Sequence, residues 1–324
     1  MAHRVALLVY PGFELLDASG PASVLSGANH ALRRDGKSPF YSVETISSAG
    51  GPVISSSGVS IHTRALSRVS PSSVDTLLIA GGEEAPVRTA IGEAALRQWV
   101  PRCAASATRF GSVCSGAFVL AALGLLHGKR VATHWDACAQ LSQMFATVSV
   151  DPDALYVVDG NLWTSAGVST GIDMALAMVS RDLGGVIASE VAKRLVLYAR
   201  RPGYQSQFSP LLRAQVQAEN PFGELIGWMQ AHLDEPLDVA TLASRSGLSE
   251  RTFYRRFVAA TGETPARFVE SLRLDAARVL LSQKLSMKTI AARVGLSPTA
   301  RFTEAFERRF GVTPSLFRQM HTIE

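Results

Sequence analysis

Toward the end of the 324-residue chain one pattern occurs twice. LASRSGLSERTFYRRFVAATGETPARF (242–268) and IAARVGLSPTARFTEAFERRFGVTPSLF (290–317) share residue types at a constant offset. Ala243 and Ala291 are 48 positions apart, as are Gly247 and Gly295. Phe253/Phe302, Phe257/Phe306, Gly262/Gly311, Pro265/Pro314 and Phe268/Phe317 are 49 apart, so one residue is inserted between Gly295 and Phe302. Each copy predicts a short helix, a turn at Gly-Leu-Ser and a second helix. The alanines admit a neighbouring helix backbone, and Gly247 and Gly295 supply the left-handed residue that ends the first helix. Ser249 and Ser297 are expected to cap the second helix, whose phenylalanines four apart form one buried stripe.

A pair of helices joined in this way can place its second helix in a DNA major groove. The charge distribution agrees. Residues 241–324 hold 14 Lys+Arg against 7 Asp+Glu, a net of +7, which leaves 18 against 20 for the rest of the chain. A near-neutral body with a basic tail suits contact with a polyanion. A helical bundle that binds protein is the alternative.

The second copy, with its Phe-Gly-Val-Thr-Pro run, resembles the signature of the AraC/XylS family of transcription factors, over about residues 222–320. The resemblance implies an all-α domain with two reading helices on a shared linking helix near 265–281, entering successive major grooves about 34–36 Å apart. In the first unit the Phe stripe turns Glu250, Arg251, Tyr254 and Arg255 outward, beside the cap Ser249. Arg bridges guanine O6 and N7, worth about 1–3 kcal/mol of discrimination. In the second unit Ser297, Thr299, Ala300, Arg301, Thr303 and Glu304 are the matching candidates. Family members often have Arg where this chain has Glu304, and a carboxylate accepts from cytosine N4 instead. Arg308, Arg309 and Arg318 are assigned to the DNA backbone.

The first 200 residues follow a different rule. Short apolar runs at 4–10, 41–47, 74–82 and 108–113 alternate with helical patterns at 20–34, 94–106, 116–126 and 171–183. This predicts an α/β domain with a mostly parallel, flavodoxin-like sheet. LYVVDGNLWTSAG (155–167) predicts a hairpin about Asp159-Gly160. The Pro-, Gly-, Gln- and Ser-rich stretch 199–212 reads as a linker. The domains are therefore expected at 1–200 and 221–324, joined by 201–220.

RFGSVCSGAFVLAALGLL (109–126) sets Cys114 between a strand and a helix. A side chain at such a turn stands above the sheet beside unpaired helix N–H groups, which favour an anion and lower a thiol pKa. Ser112, Ser115, Gly116 and Ala117 are small enough for a sharp bend. The alternative is a Cys that is simply a small buried apolar residue. Asp17, before Ala-Ser-Gly-Pro, is either a polar site residue or a helix N-cap.

GFELLDASGPASVL (12–25), LLIAGG (77–82), VCSGAFVLAALGLLHGKRVATHW (113–135) and TSAGVSTGIDMALAMV (164–179) resemble the ThiJ/PfpI superfamily, relatives of class I glutamine amidotransferases. The nearest branch fuses this domain to an AraC-type tail. In related isocyanide hydratases a Cys at the elbow works with an Asp from the first loop. Cys114 and Asp17 match those positions, with Ser115 where the hydratases tend to have Thr. Protease-like members carry His directly after the Cys. Here His134 lies twenty positions on, which speaks against a peptidase.

The resemblance implies a regulator whose α/β domain holds a small nitrogen-containing effector near Asp17, Gly82, Cys114, Ser115 and His134. Glu83 and Glu84 either neutralise a cationic ligand or form a solvated loop. The rival is a Cys-dependent hydratase or amidase with an appended DNA-binding domain, and a third reading is a redox switch at Cys114. Double-stranded DNA, a small-molecule effector and a second copy of the chain are the expected partners, with RNA polymerase a further candidate. No cofactor or metal is expected, because the seven histidines show no ligand spacing and neither GxGxxG nor a Walker sequence is present. Three cysteines, an odd number without metal spacing, argue for a reducing compartment. The first residues read as mature sequence, no run is long enough to span a membrane, and the cytoplasm is the expected location.

Overall fold

The computed structural model describes residues 2–197, 203 and 222–321, apart from 262, 282, 284 and 311. Most of the expected linker, together with Gly262 and Gly311, lies outside the described residues. The chain divides into two compact units, Met1–Gln207 and Phe208–Glu324.

The first unit is built on an eight-stranded sheet in the order β3-β4-β2-β1-β5-β6-β10-β9. The strands are β1 (His3–Leu8), β2 (Tyr41–Ser47), β3 (Gly51–Ile54), β4 (Ser60–Ala65), β5 (Thr76–Ile79), β6 (Arg109–Val113), β9 (Tyr156–Asp159) and β10 (Leu162–Ser165). β7 (Arg130–Val131) and β8 (Ser149–Val150) form a separate small pair. From β4 to β10 neighbours run parallel, while β3 on β4 and β9 on β10 are antiparallel. The β9–β10 hairpin matches expectation, but Asp159 pairs with Leu162, so the turn residues are Gly160 and Asn161. Gly160 has φ +65°, as the first central residue of a tight hairpin turn requires. Strands β3 and β4, in the serine-rich stretch 51–65, are absent from the sequence reading.

β1 has no polar face because both of its faces are covered. Val5 and Leu7 pack with α1 (Leu15–Arg34), α6 (Thr170–Leu183) and α7 (Gly185–Arg194). Ala6 and Leu8 face the other layer, α2 (Glu84–Gly92), α3 (Ala94–Ser106) and α4 (Ala117–Ala122). A seventh helix, α5 (Cys138–Met144), follows β7. α1 begins five residues before the expected start, is capped by Glu14 and runs through Pro21. Gly20-Pro21, expected at the start of the helix, lies inside it.

The second unit is helical throughout its described residues. A leading helix, Gly223–Ala231, precedes the first pair, Val239–Arg245 and Glu250–Thr261. The linking helix Pro265–Leu281 then leads to the second pair, Met287–Arg293 and Thr299–Phe310, and to a final helix, Pro314–His321. The linking helix serves both halves. Phe268, Val269 and Leu272 join the core around Phe253 and Phe257, and Arg278 lies over the rings of Phe310 and Phe317, at 4.6 and 5.7 Å. Among the described residues no helix is long and apolar enough to cross a membrane.

Candidate functional site

From β1 the chain winds first to β2 and β4 and then returns to the other side of β1 through β5 and β6. A crevice opens at the carboxyl ends of strands where such a sheet changes direction, and ligands of open α/β sheets bind there. Here the loop after β1, the loop after β5 and the turn after β6 converge. Glu14 N–H donates to the Gly81 carbonyl at 2.8 Å, and Phe13 bridges to Gly82.

Cys114 stands at the head of a single tight turn, Cys114–Gly116, between β6 and α4. Its φ is +58°, a left-handed conformation that costs an ordinary residue roughly 1–2 kcal/mol and holds only where the surroundings impose it. Glycines impose it. A Cβ at Gly81 would stand 2.7 Å from the Cys114 Cβ, and one at Gly167 only 2.3 Å away. The Thr133 hydroxyl donates to the Cys114 carbonyl at 2.9 Å. Ser115 and Gly82 lock together, since the Ser115 Oγ donates to the Gly82 carbonyl at 2.6 Å and accepts from its N–H at 2.9 Å.

Asp17 lies in the first turn of α1, and the cap of that helix is Glu14, whose carboxylate accepts from Leu16 N–H. The N-cap alternative for Asp17 is therefore replaced by a different role. Asp17 is 1% exposed, and its two oxygens accept from Gly81 N–H at 2.9 Å and Val168 N–H at 2.7 Å. It clasps the loops after β5 and β10 from beneath. Burial raises its carboxyl to about 6, against the lowering effect of the two amides and the Cys114 thiol. Burial likewise pushes the Cys114 thiol up to about 12, and the neighbouring Asp17 charge adds to the rise. The expected acidic thiol is thus reversed. The helix-end amides do act in the lowering direction through Ser115, but desolvation outweighs them.

Gly82, Cys114, Ser115 and His134 are brought together on the wall of one cleft of about 750 Å³, a size suited to a small ligand. Val87, Ile91, Phe118 and Met144 supply its apolar wall. Glu14, Glu83, Glu84 and Asp136 line it against one guanidinium, Arg88, which pairs with Glu84. Glu14 also accepts from the Ser56 hydroxyl. Burial lowers the pKa of His134, which favours a neutral ring, and His134 makes no hydrogen bond to Cys114 among the described residues. Sequence reasoning missed Gly167, Val168 and Thr133. Gly167 and Val168 stand in the Ser-Ala-Gly-Val-Ser-Thr run, but only the folded chain brings that loop against Cys114.

In the helical unit both turns take the expected form, with φ +66° at Gly247 and +65° at Gly295. Phe253, Phe257, Phe302 and Phe306 are fully buried. Glu250, Arg251, Tyr254 and Arg255 are exposed on the opposite side of the first reading helix, and Ser249 caps it through Thr252 N–H. In the second reading helix Ala300, Arg301 and Glu304 are exposed, while Thr299 and Thr303 are half-buried. The Thr303 hydroxyl donates to the Thr299 carbonyl at 3.0 Å. Ser297 is exposed but stands two residues before the helix, because the inserted residue, Pro298, occupies the position before Thr299. The three arginines assigned to the DNA backbone are engaged within the protein. Arg308 pairs with Glu270, Arg309 with Ser271 and Asp275, and Arg318 with the Leu281 and Leu285 carbonyls.

Residues 3–181 match the model of the DJ-1/PfpI family, and residues 242–320 match a helix-turn-helix domain. The HTH-type transcriptional regulator CdhR of Pseudomonas aeruginosa is 30% identical over 97% of this chain and 91% of its own length. An isonitrile hydratase of Pseudomonas putida is 31% identical over 64% of this chain and 83% of its own. The crystal structure of an AraC family transcriptional regulator from Pseudomonas putida superposes with a TM-score of 0.52 at 24% identity, covering 60% of this chain and 99% of that one. The two-part match, with the first family model covering more than half of the chain, settles the classification: this chain belongs to the DJ-1/PfpI family, in the group that carries an AraC-type helix-turn-helix domain and regulates transcription.

Proposed function

We propose that the chain is a sequence-specific DNA-binding regulator in which the cleft beside Cys114 reads a small cationic, nitrogen-containing effector. The observation that carries the DNA part is the pair of phenylalanine-backed reading helices. In the first, two arginines, a tyrosine and a carboxylate stand outward over a fully buried aromatic stripe. Ser249, Glu250, Arg251, Tyr254 and Arg255 would contact one major groove, and Ser297, Thr299, Ala300, Arg301, Thr303 and Glu304 the next.

The effector part rests on four carboxylates facing one guanidinium around a cleft with an apolar wall. A positive nitrogen with alkyl substituents satisfies both features. Gly82, Cys114, Ser115 and His134 would touch the ligand, and Asp17 would hold the surrounding loops. A thiol with pKa about 12 is a poor nucleophile at neutral pH, which favours sensing over hydratase or amidase turnover.

Domains at 1–200 and 221–324 with a linker at 201–220, pairing of two chains and action in the cytoplasm are part of the same proposal. RNA polymerase is a further candidate partner. Effector and DNA would be coupled through the difference in effector affinity between two arrangements of the pair. The test is binding to DNA from the chain's own promoter across a salt series. Affinity is expected to fall steeply with salt, and Arg251→Ala with Arg255→Ala is expected to remove sequence preference in the segment read by the first helix. Binding that ignores both salt and the two substitutions contradicts the assignment.

A further inference from the structure

The two copies of the repeat share a glycine turn, but the surroundings of the two glycines differ. A Cβ at Gly247 would meet open space. At Gly295 it would stand 2.2 Å from the Leu233 carbonyl oxygen and 2.8 Å from an Arg273 guanidinium nitrogen. Leu233 lies between the leading helix and the first pair, so the turn of the second unit is pressed directly against backbone of the first. Arg273, on the linking helix, holds that backbone in place. Its Nε donates to the Leu233 carbonyl at 3.0 Å and its Nη2 to the Glu235 carbonyl at 2.7 Å.

One carbonyl is thus gripped by the linking helix and covered by the second turn. A guanidinium suits the task, because its donors lie in a fixed plane and two of them fix an angle as well as a distance. Arg308 and Arg309 tie the second reading helix to the same linking helix through Glu270, Ser271 and Asp275. The joint therefore connects three parts: the first unit through Leu233, the link through Arg273 and the second unit through Gly295.

We propose that Arg273, Gly295 and the Leu233 carbonyl form a joint that sets the separation of the two reading helices, and with it the spacing of DNA contacts that the protein accepts. These are positioning residues, with no base contact required of them. The proposal rests on the DNA-reading function above, but the rigidity of the joint is measurable without DNA.

The test uses the full chain with spin labels at two exposed sites, Ala259→Cys and Glu307→Cys, the native cysteines being buried. In the parent and in Gly247→Ala, which carries the same left-handed backbone cost, a narrow distance distribution is expected. In Gly295→Ala and Arg273→Gln it should broaden, and Arg273→Lys should recover part of the order. On promoter DNA, inserting one base pair between the two contact segments should cost the parent about tenfold in affinity, as a misplaced contact does. In Gly295→Ala and Arg273→Gln the penalty should fall below about threefold, while Gly247→Ala keeps it in full. Unchanged distance widths in folded Arg273→Gln and Gly295→Ala overturn the joint. So does an insertion penalty that remains equal to the parent's. If no variant binds DNA while the widths change as expected, the DNA reading falls and the joint stands.

Discussion

The Asp17 carboxylate accepts the Val168 amide at 2.7 Å across 151 positions of chain. This bond ties the start of α1 to the loop after β10, and the other oxygen holds Gly81 after β5. The same loops surround Cys114, so one buried carboxyl arranges the floor of the cleft.

A carboxyl raised by burial from 3.8 to about 6 binds its proton more tightly in the folded chain than in the unfolded one. Its contribution to stability is complete below pH 4 and is lost as pH rises through 6. The stability of the parent relative to Asp17→Asn should therefore fall by about 2 kcal/mol between pH 4 and 7, at 1.36 kcal/mol per pKa unit. Urea unfolding of both proteins from pH 4 to 7 measures it. A constant difference would show that Asp17 does not titrate there.

A thiol at about 12 is almost entirely protonated at neutral pH. Alkylation of Cys114 in the native chain at pH 7.5 should be slower than that of a free thiol by about a thousandfold or more, from the thiolate fraction alone. Peptide mass mapping after timed iodoacetamide treatment reads each cysteine separately. Rapid labelling of Cys114 would indicate an activated thiol and favour the enzyme reading.

The Cys114 turn needs an empty place at Gly167. Gly167→Ala would set a Cβ 2.3 Å from that of Cys114 and hold alanine at φ +96°. Overpacking together with a left-handed alanine should cost roughly 2–4 kcal/mol. Gly92→Ala, where a Cβ meets nothing and the glycine ends a helix, is the control and should cost little. Thermal unfolding compares the two.

The carboxylates around the cleft should favour charge. Choline is expected to bind more tightly than 3,3-dimethylbutan-1-ol, its neutral counterpart of the same shape. Neutralising the exposed Glu83 and Asp136 with Glu83→Gln and Asp136→Asn should cost the cation about fivefold, and leave the alcohol unaffected. Titration calorimetry separates the two ligands. Equal affinities would remove the cationic preference.

The sheet could be read from sequence where burial leaves a pattern. The unbroken apolar run of β1 reports two covered faces, and Asp159-Gly160 marks a hairpin even though the turn is one residue later. Strands β3 and β4 carry no such signal, since their stretch is largely exposed and serine-rich. The turn at Cys114 was legible as a position, but not its chemistry. The helix-end argument favours a low pKa, whereas the desolvation that wins comes from distant loops folding over the thiol. Asp17 was named but its role was hidden, because its partner is a backbone amide far along the chain. In the helical unit the phenylalanine period determines the reading faces, whereas the partners of Arg308, Arg309 and Arg318 depend on how helices pack.

The most direct measurement is hydroxyl-radical footprinting of the full chain on its promoter DNA. Each bound chain should protect two segments on one face of the duplex, about 10–10.5 base pairs apart, one for each reading helix. Arg251→Ala with Arg255→Ala should erase one segment and leave the other. A single protected segment in the parent, or two whose separation places them on opposite faces, would contradict reading by both helices.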